Sequence, residues 1–190
     1  MHTNPDERTR IVITPVTHLD EFRAHTSRIS RRSRWLERQG SLRRGRAMHL
    51  IDIENLVGSA RPTSCEVREV MTIYESLVPI GARDHHVVAV NHTALLTVGI
   101  AFRGVRLLAR SGPDGADRAL VEAAFEDRID LRFERVVIGS GDAYFTRLAA
   151  WLTQAGLQVT VASRRRSLSR HLADATPDVI CLEPHAIHAA

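Results

Sequence analysis

The sequence predicts an α/β protein with an open, mainly parallel sheet that carries helices on both faces. Three observations predict this class: six short apolar runs recur along residues 47–184, segments with helical spacing separate them, and no internal repeat is evident. Five of the six runs are too continuously apolar for a strand with one solvated face. Strands that alternate with helices in this way form a parallel sheet with both faces covered.

The predicted strands are runs of four to six mostly aliphatic residues. They are Met48–Ile53, Val87–Val90, Val105–Ala109, Arg135–Ile138, Gln158–Ala162 and Val179–Leu182. Helical spacing of apolar residues predicts the segments between them: Cys65–Val78, His92–Phe102, Ala116–Glu126, Tyr144–Ala155 and a short helix near Ser167–Ala173. Ligands bind outside the carboxyl ends of such strands, so the residues that follow each strand are the candidates for a site.

The basic residues are unusual in type and in distribution. All 26 are arginine, which excludes a P-loop lysine and a Schiff-base lysine. Residues 1–46 hold 11 arginines against 5 acids, and residues 19–39 are compatible with a helix. We therefore expect a basic, partly helical or disordered extension over residues 1–46, a domain over 47–184 and a tail over 185–190. The extension either contacts a polyanion or is a solvated tail.

The two cysteines and the hydropathy restrict the compartment. Two cysteines are too few for a disulfide framework, and Cys65 and Cys181 lack the paired spacing of a zinc site. We expect both to be buried. No apolar run approaches the length of a membrane span, so no membrane contact is expected. The expected location is the cytoplasm.

Asp52 interrupts the first apolar run, where an unpaired carboxylate would cost roughly several kcal/mol to bury. A metal ion would compensate that cost, and Asn55 is close enough to order the same loop. The alternative is that Asp52 only caps the next helical turn.

Two further loops after strands carry acids beside glycines. Ser140-Gly141-Asp142 follows the fourth run, and its glycine allows the backbone to approach a ligand closely. Asp114 and Asp117 follow the third run, where one of them caps the next helix and the other is left to face the sheet edge.

Asp52, Asp117 and Asp142 are thus predicted at the carboxyl edge of one sheet. Like charges at short distance raise each other's pKa unless a divalent cation neutralises them. Oxygen ligands alone favour Mg²⁺ or Mn²⁺ over zinc. Such a bound ion is suited to phosphate chemistry, because it activates a water and neutralises the leaving oxygen.

At these residues the sequence resembles a known family. The segments similar to the three signature segments of the NYN domain are Asp52-Ile53-Glu54-Asn55, Gly115-Ala116-Asp117 and Ser140-Gly141-Asp142-Ala143-Tyr144-Phe145. The resemblance covers about residues 47–183 and implies a Rossmann-like, PIN-like sheet. It also implies a Mg²⁺-dependent ribonuclease site on Asp52, Asp117 and Asp142, with Asn55 ordering the site and Asp114 and Ser140 in support.

The sequence departs from the family pattern at two positions. Tyr144 stands where many members carry a second aspartate, and Ala123 stands where a further acid is often found. Fewer carboxylates imply weaker metal binding. The resemblance therefore leaves open an RNA-binding module of the same fold with little catalysis.

Arg164, Arg165 and Arg166 follow the fifth run, on the same predicted edge as the acids. Three arginines there could hold a nucleic-acid backbone, or they could form an ordinary exposed loop. Ser167 is expected to cap the last short helix.

The expected function is metal-dependent endonucleolytic cleavage of RNA, single-stranded or structured. A catalytically weak RNA-binding module and a phosphatase acting on a small substrate are the alternatives, because a fold does not determine a function. Whether the chain pairs as a homodimer is left open.

Overall fold

The computed structural model describes residues 43–102, 105–176 and 178–183. Six strands form one sheet in the order β3-β2-β1-β4-β5-β6, and every neighbouring pair is parallel. The predicted α/β class with a parallel sheet is confirmed. The strands are β1 (Ala47–Asp52), β2 (His85–Val90), β3 (Arg106–Ala109), β4 (Arg135–Gly139), β5 (Gln158–Ser163) and β6 (Asp178–Cys181).

Seven α-helices connect these strands within the described residues. They are α1 (Ile53–Val57), α2 (Ser64–Leu77), α3 (Leu95–Ala101), α4 (Gly115–Glu126), α5 (Ile129–Arg132), α6 (Thr146–Gln154) and α7 (Arg170–Ala175). Short 3₁₀ turns at His92–Ala94 and Ala143–Phe145 precede α3 and α6. The sequence pattern did not predict α1 or α5, because four or five residues are too few to show a helical period.

The core has two parts, one on each face of the sheet. On one face, α1, α2 and α3 contribute Leu56, Tyr74 and Val98 to a cluster with buried strand residues. On the other face, α4 and α6 contribute Val121 and Trp151 to a second cluster. No helix of the described residues is long and apolar enough to cross a membrane.

The predicted burial of Cys65 is wrong. Cys65 lies in the first turn of α2 and is exposed, and Cys181 is half-buried. The inner face of α2 is occupied instead by Val67, Val70 and Met71. Neighbouring apolar residues in the sequence do not determine which side of a helix a cysteine occupies.

Most residues of the two predicted terminal segments lie outside the described residues. Of the basic extension, the structure describes only residues 43–46, and the tail over 185–190 lies outside the described residues.

A buried polar cluster ties the amino ends of the strands together. His49 on β1 is fully buried, with Nδ1 2.8 Å from the Tyr74 hydroxyl and Nε2 3.4 Å from Asp84 Oδ2. Burial, and then the stacked His86 ring, lower the pKa of His49 to about 4. The imidazole is therefore neutral at neutral pH, so the Tyr74 hydroxyl donates to Nδ1 and Nε2–H donates to Asp84.

Asp84 accepts hydrogen bonds from three elements at once. The Ala47 and Gly81 amides each donate to it at 2.7 Å, and Arg135 on β4 lies 3.4 Å away. Burial alone would raise the pKa of Asp84, but these amides and His49 lower it below its usual range. Asp84 thus joins the loop before β2 to the starts of β1 and β4.

Replacing Asp84 by alanine is expected to lower the free energy of unfolding by about 3 kcal/mol, because several buried donors lose their acceptor. Urea denaturation at neutral pH measures this. Asp127→Ala, which removes the half-buried partner of the exposed Arg106, is the control and should cost less than about 1 kcal/mol. Equal losses in the two variants would contradict the proposed role of Asp84.

Candidate active site

The candidate site lies where the chain order of the sheet reverses, between β1 and β4. Ile51 is paired in register with Gly139, so the residues that follow these two strands are neighbours. Asp52 is the last residue of β1, and Ser140, Gly141 and Asp142 follow β4. Open parallel sheets form their ligand sites at such a reversal.

Asp52 serves both as a helix cap and as a site residue. Its side chain is buried, and Oδ1 accepts a hydrogen bond of 3.2 Å from the Asn55 amide at the start of α1. Oδ2 accepts a second bond of 3.2 Å from the Ser140 hydroxyl. The two interpretations of Asp52 offered by the sequence are therefore compatible, because the cap occupies only part of the carboxylate.

Asp117 faces Asp52 from the first turn of α4. Asp114 occupies the N-cap position with a left-handed backbone and makes no side-chain cap, which leaves Asp117 to point at the sheet edge. Val121 and Ala124 continue the same buried face, as the sequence predicted. Asp117 Oδ1 is buried and has no hydrogen-bond partner among the described residues.

Asp142 lies at the rim of the site. Its Oδ1 accepts a hydrogen bond of 2.8 Å from the Tyr144 amide, and its own amide donates to Ser140 Oγ at 3.2 Å. The side chain is exposed, yet its charge acts on Asp117. In the described part of the chain, no three His, Cys, Asp or Glu side chains form a ready set of metal ligands. The structure therefore brings Asp52 and Asp117 together and leaves Asp142 beside them.

The electrostatics of the two buried acids show how closely they interact. Burial raises the pKa of Asp52 to about 6. Burial, and then the charges of Asp52 and Asp142, raise the pKa of Asp117 to about 8. At neutral pH Asp117 thus keeps a proton that interacts with Asp52. A divalent cation would relieve the same repulsion and would give the orphaned Asp117 oxygen a partner, so the carboxylate donors fit Mg²⁺ or Mn²⁺.

Asn55 connects α1 to the loop after β4. Its Oδ1 accepts a hydrogen bond of 3.0 Å from the Gly141 amide. The Gly141 carbonyl accepts one of 2.8 Å from the Ser169 amide. A Cβ added at Gly141 would lie 2.3 Å from the Ser167 carbonyl oxygen, so only glycine permits this close approach.

The three predicted RNA-binding arginines occupy different environments. Arg165 and Arg166 are exposed. Arg164 is half-buried, and its guanidinium donates to the Asn55 carbonyl at 2.9 Å and to Ser167 Oγ at 2.8 Å. Arg164 therefore holds α1 against the loop after β5. Ser167 is not the helix cap that the sequence predicted: Ser169 occupies the N-cap position, without a side-chain cap hydrogen bond.

Sequence reasoning missed a polar group beside the acids. Glu54 Oε1 accepts a hydrogen bond of 2.8 Å from the Asn91 amide at the end of β2, and its charge contributes to the raised pKa of Asp52. His92 Nδ1 lies 2.9 Å from Ser111 Oγ, which follows β3. Asn91 lies directly after a strand, and this position was the sequence signal that could have identified it as a residue of the site.

The two positions that depart from the family pattern differ in setting. Tyr144 is half-buried, and burial raises its pKa, while the charge of Arg118 lowers it and that of Asp117 raises it. Its amide donates to Asp142 at the rim of the site. Ala123 is buried in the core cluster on the inner side of α4. Tyr144 therefore stands beside the site, whereas Ala123 belongs to the packing.

Comparisons with known proteins agree with this fold. The family model of the NYN domain matches residues 46–183, which contain all six strands. A crystal structure of a protein of unknown function from Vibrio parahaemolyticus is similar, with a TM-score of 0.50 and 18% identity. The match covers 73% of this chain and 93% of that one, and it shows a shared fold. No curated protein matches the chain.

The raised pKa of Asp117 predicts a pH-dependent stability in the absence of divalent cations. The folded chain holds a proton that the unfolded chain has released, so stability is full at low pH and is lost as the pH rises through about 8. Because the carboxyl keeps some contact with solvent, we expect a loss of about 1 kcal/mol between about pH 6.5 and pH 8. His49 is neutral in the folded chain throughout this window and is partly protonated only in the unfolded chain near pH 6.5, which opposes part of this loss.

Urea denaturation in EDTA at the two pH values measures this loss. Asp117→Asn removes the titrating group and should make the free energy of unfolding nearly independent of pH over the same window. A wild-type stability that stays constant or rises between the two values would refute the assignment.

Proposed function

The chain belongs to the NYN domain family, and on this premise we propose that it is an endoribonuclease that hydrolyses RNA phosphodiester bonds with a carboxylate-bound Mg²⁺ or Mn²⁺. The NYN domain has a nuclease-like fold. The observation that carries the proposal is the contact between the buried carboxyls of Asp52 and Asp117 at the sheet edge, with one Asp117 oxygen lacking a partner among the described residues.

The ion would be held by Asp52 and Asp117, with Asp142 as the third acid at the rim. When bound, it would supply a Lewis acid that polarises a phosphoryl oxygen and lowers the pKa of an attacking water. Carboxylates that repel each other in the absence of a cation are suited to this task, because a bound cation offsets the repulsion between them.

The surrounding residues hold these acids in place. The Ser140 hydroxyl and the Asn55 amide direct both Asp52 oxygens through hydrogen bonds. Because Gly141 has no side chain, the loop after β5 can approach it closely. This loop places the exposed Arg165 and Arg166 at the same edge of the sheet. These two arginines would contact phosphates on either side of the scissile bond, which positions the RNA without reading its sequence.

An RNA-binding module with little catalysis is the second candidate. Tyr144 and Ala123 in place of acids, and the missing three-ligand set among the described residues, favour it. RNA binding that persists in EDTA, without cleavage in any divalent metal, would support this candidate. Rapid hydrolysis of mononucleotides with no effect on RNA would instead support the phosphatase alternative.

Asp52→Asn is expected to reduce Mn²⁺-dependent RNA cleavage by at least roughly a hundredfold, since it removes a charge that the cation needs. Asp142→Asn should also abolish most of the cleavage. Gel analysis of a labelled RNA, with circular dichroism to establish folding, measures the effect.

The control for these variants is Asp127→Asn, at the opposite end of the helix that carries Asp117. This substitution should leave cleavage unchanged. Full cleavage by both the Asp52 and the Asp142 variants would rule out the nuclease proposal.

The exposed arginines give a prediction about binding. Replacing Arg165 and Arg166 by glutamine should weaken RNA binding and reduce the slope of log Kd against log salt by roughly 1.4 for a single strand. Arg164→Gln should instead lower the melting temperature and leave the slope almost unchanged, because its guanidinium is bonded within the protein. Fluorescence anisotropy over a salt series distinguishes the two, and an unchanged slope in the double variant would contradict the assigned contacts.

A further inference from the structure

A polar cleft lies at the amino ends of β1, β2 and β3, on the edge of the sheet opposite the candidate active site. Met48 of β1 is paired in register with His85, the first residue of β2, and Arg106 is the first residue of β3. These residues line a cavity of about 450 Å³. Asp52 lies four positions beyond Met48, which is about 13 Å along a strand. The cleft is therefore separate from the site that contains the three acids.

The lining of this cleft includes two acids, and each of them already has an arginine partner. Asp127 is bonded to Arg106. The side chain of Asp84 has no exposed surface, accepts hydrogen bonds from two amides and lies 3.4 Å from Arg135. Neither carboxylate is therefore left to neutralise a further cation.

Two further arginines at the cleft make no ion pair with any residue that the structure describes. Arg132 is the last residue of α5 and lines the cleft, and Arg46 directly precedes β1. Their guanidinium carbons lie 5.6 and 4.8 Å, respectively, from the centroid of the same Phe133 ring. The two carbons are thus at most roughly 10 Å apart, about one Debye length, so the two charges repel each other.

The polar groups next to these two charges are hydrogen-bond donors. Arg46 Nη2 lies 3.1 Å from His85 Nε2, so the guanidinium donates and a neutral His85 ring keeps its proton on Nδ1. His85 is exposed, and its Nδ1–H is a third donor beside the two guanidinium groups. Arg132 uses one N–H on the Asp127 carbonyl at 3.0 Å and retains its others. Unpaired positive charge together with donors favours an anionic ligand.

We propose that this cleft binds an anion with two linked phosphate groups through Arg46, Arg132 and His85. Phosphate suits guanidinium groups, because its oxygens accept their N–H bonds in pairs. Two linked phosphates suit the cleft better than one, because the two guanidinium groups are separate and each can bond to its own phosphate. A small diphosphate compound and the backbone of an RNA both present such groups. The inference does not rest on the proposed nuclease activity, which uses the opposite edge of the sheet.

Isothermal titration calorimetry of the full chain with pyrophosphate tests the site. The titration is made in EDTA, so that no divalent cation can hold the probe at the candidate active site. We expect saturable binding with a Kd below roughly 1 mM. Arg46→Gln and Arg132→Gln should each raise the Kd at least roughly tenfold, because each removes charge-assisted hydrogen bonds.

The matched control is Arg68→Gln, which removes one exposed arginine of α2 and should leave the Kd unchanged. Circular dichroism establishes that all three variants are folded. Absence of saturation in the wild type, or an equal rise of the Kd in all three variants, would overturn the proposal.

Amide chemical shifts of the wild-type chain locate the bound probe without any substitution. Pyrophosphate should shift the resonances of Val87 and Arg106, which line the cleft, and leave those of Asn55 and Gly141 in place. Shifts confined to Asn55 and Gly141 would place the probe at the carboxyl edge and refute the cleft.

A labelled RNA in EDTA distinguishes the two sources of phosphate. For an RNA ligand, Arg132→Gln should weaken RNA binding, and RNA should displace pyrophosphate. For a small diphosphate ligand, the same variant should lose pyrophosphate binding and keep its affinity for RNA. Succinate at equal ionic strength tests the class of anion, and binding as tight as that of pyrophosphate would overturn the assignment to phosphate.

Discussion

The repulsion between two buried carboxyl groups is the constraint on which the site depends. Asp52 closes β1 and Asp117 opens α4, and neither position offers the other a positive partner. The fold tolerates the pair because a proton can be shared between them. The hydrogen bonds from Ser140 and Asn55 prevent Asp52 from turning away. A divalent cation bound there, as we propose, would offset the repulsion between the two carboxyl groups.

The architecture was predictable because apolar strand runs alternate with segments of helical spacing along the whole domain. The four inner strands are largely buried on both sides and therefore appear as apolar runs, whereas the edge strands β3 and β6 are only partly buried. Each long helix repeats apolar residues at helical spacing along its inner face. The bounds were less predictable: β2 begins with His85 and His86, whose backbone continues the pairing with β1 before the apolar run starts. The short helices α1 and α5 depend on tertiary packing and leave no periodic signal.

The site was predictable only where topology places residues together. Acids in the segments that end or follow the strands were identified because parallel strands end at one edge, and the structure places Asp52, Asp117 and Asp142 near that edge. The roles within a loop were not predictable. Nothing in three consecutive arginines distinguishes Arg164, which is bonded to the Asn55 carbonyl, from its exposed neighbours. Such differences arise from side-chain geometry after folding.

The loop over residues 163–169 is joined to two other parts of the site within a few ångströms, through Arg164 and through the Gly141 carbonyl. Its length is therefore not adjustable. An inserted residue would separate either Arg164 from α1 or Ser169 from Gly141. Relatives of this chain should accordingly vary in the length of the surface turns at the amino edge of the sheet. They should conserve the length of the loop over residues 163–169. A protein engineer who needs a fusion point should avoid it.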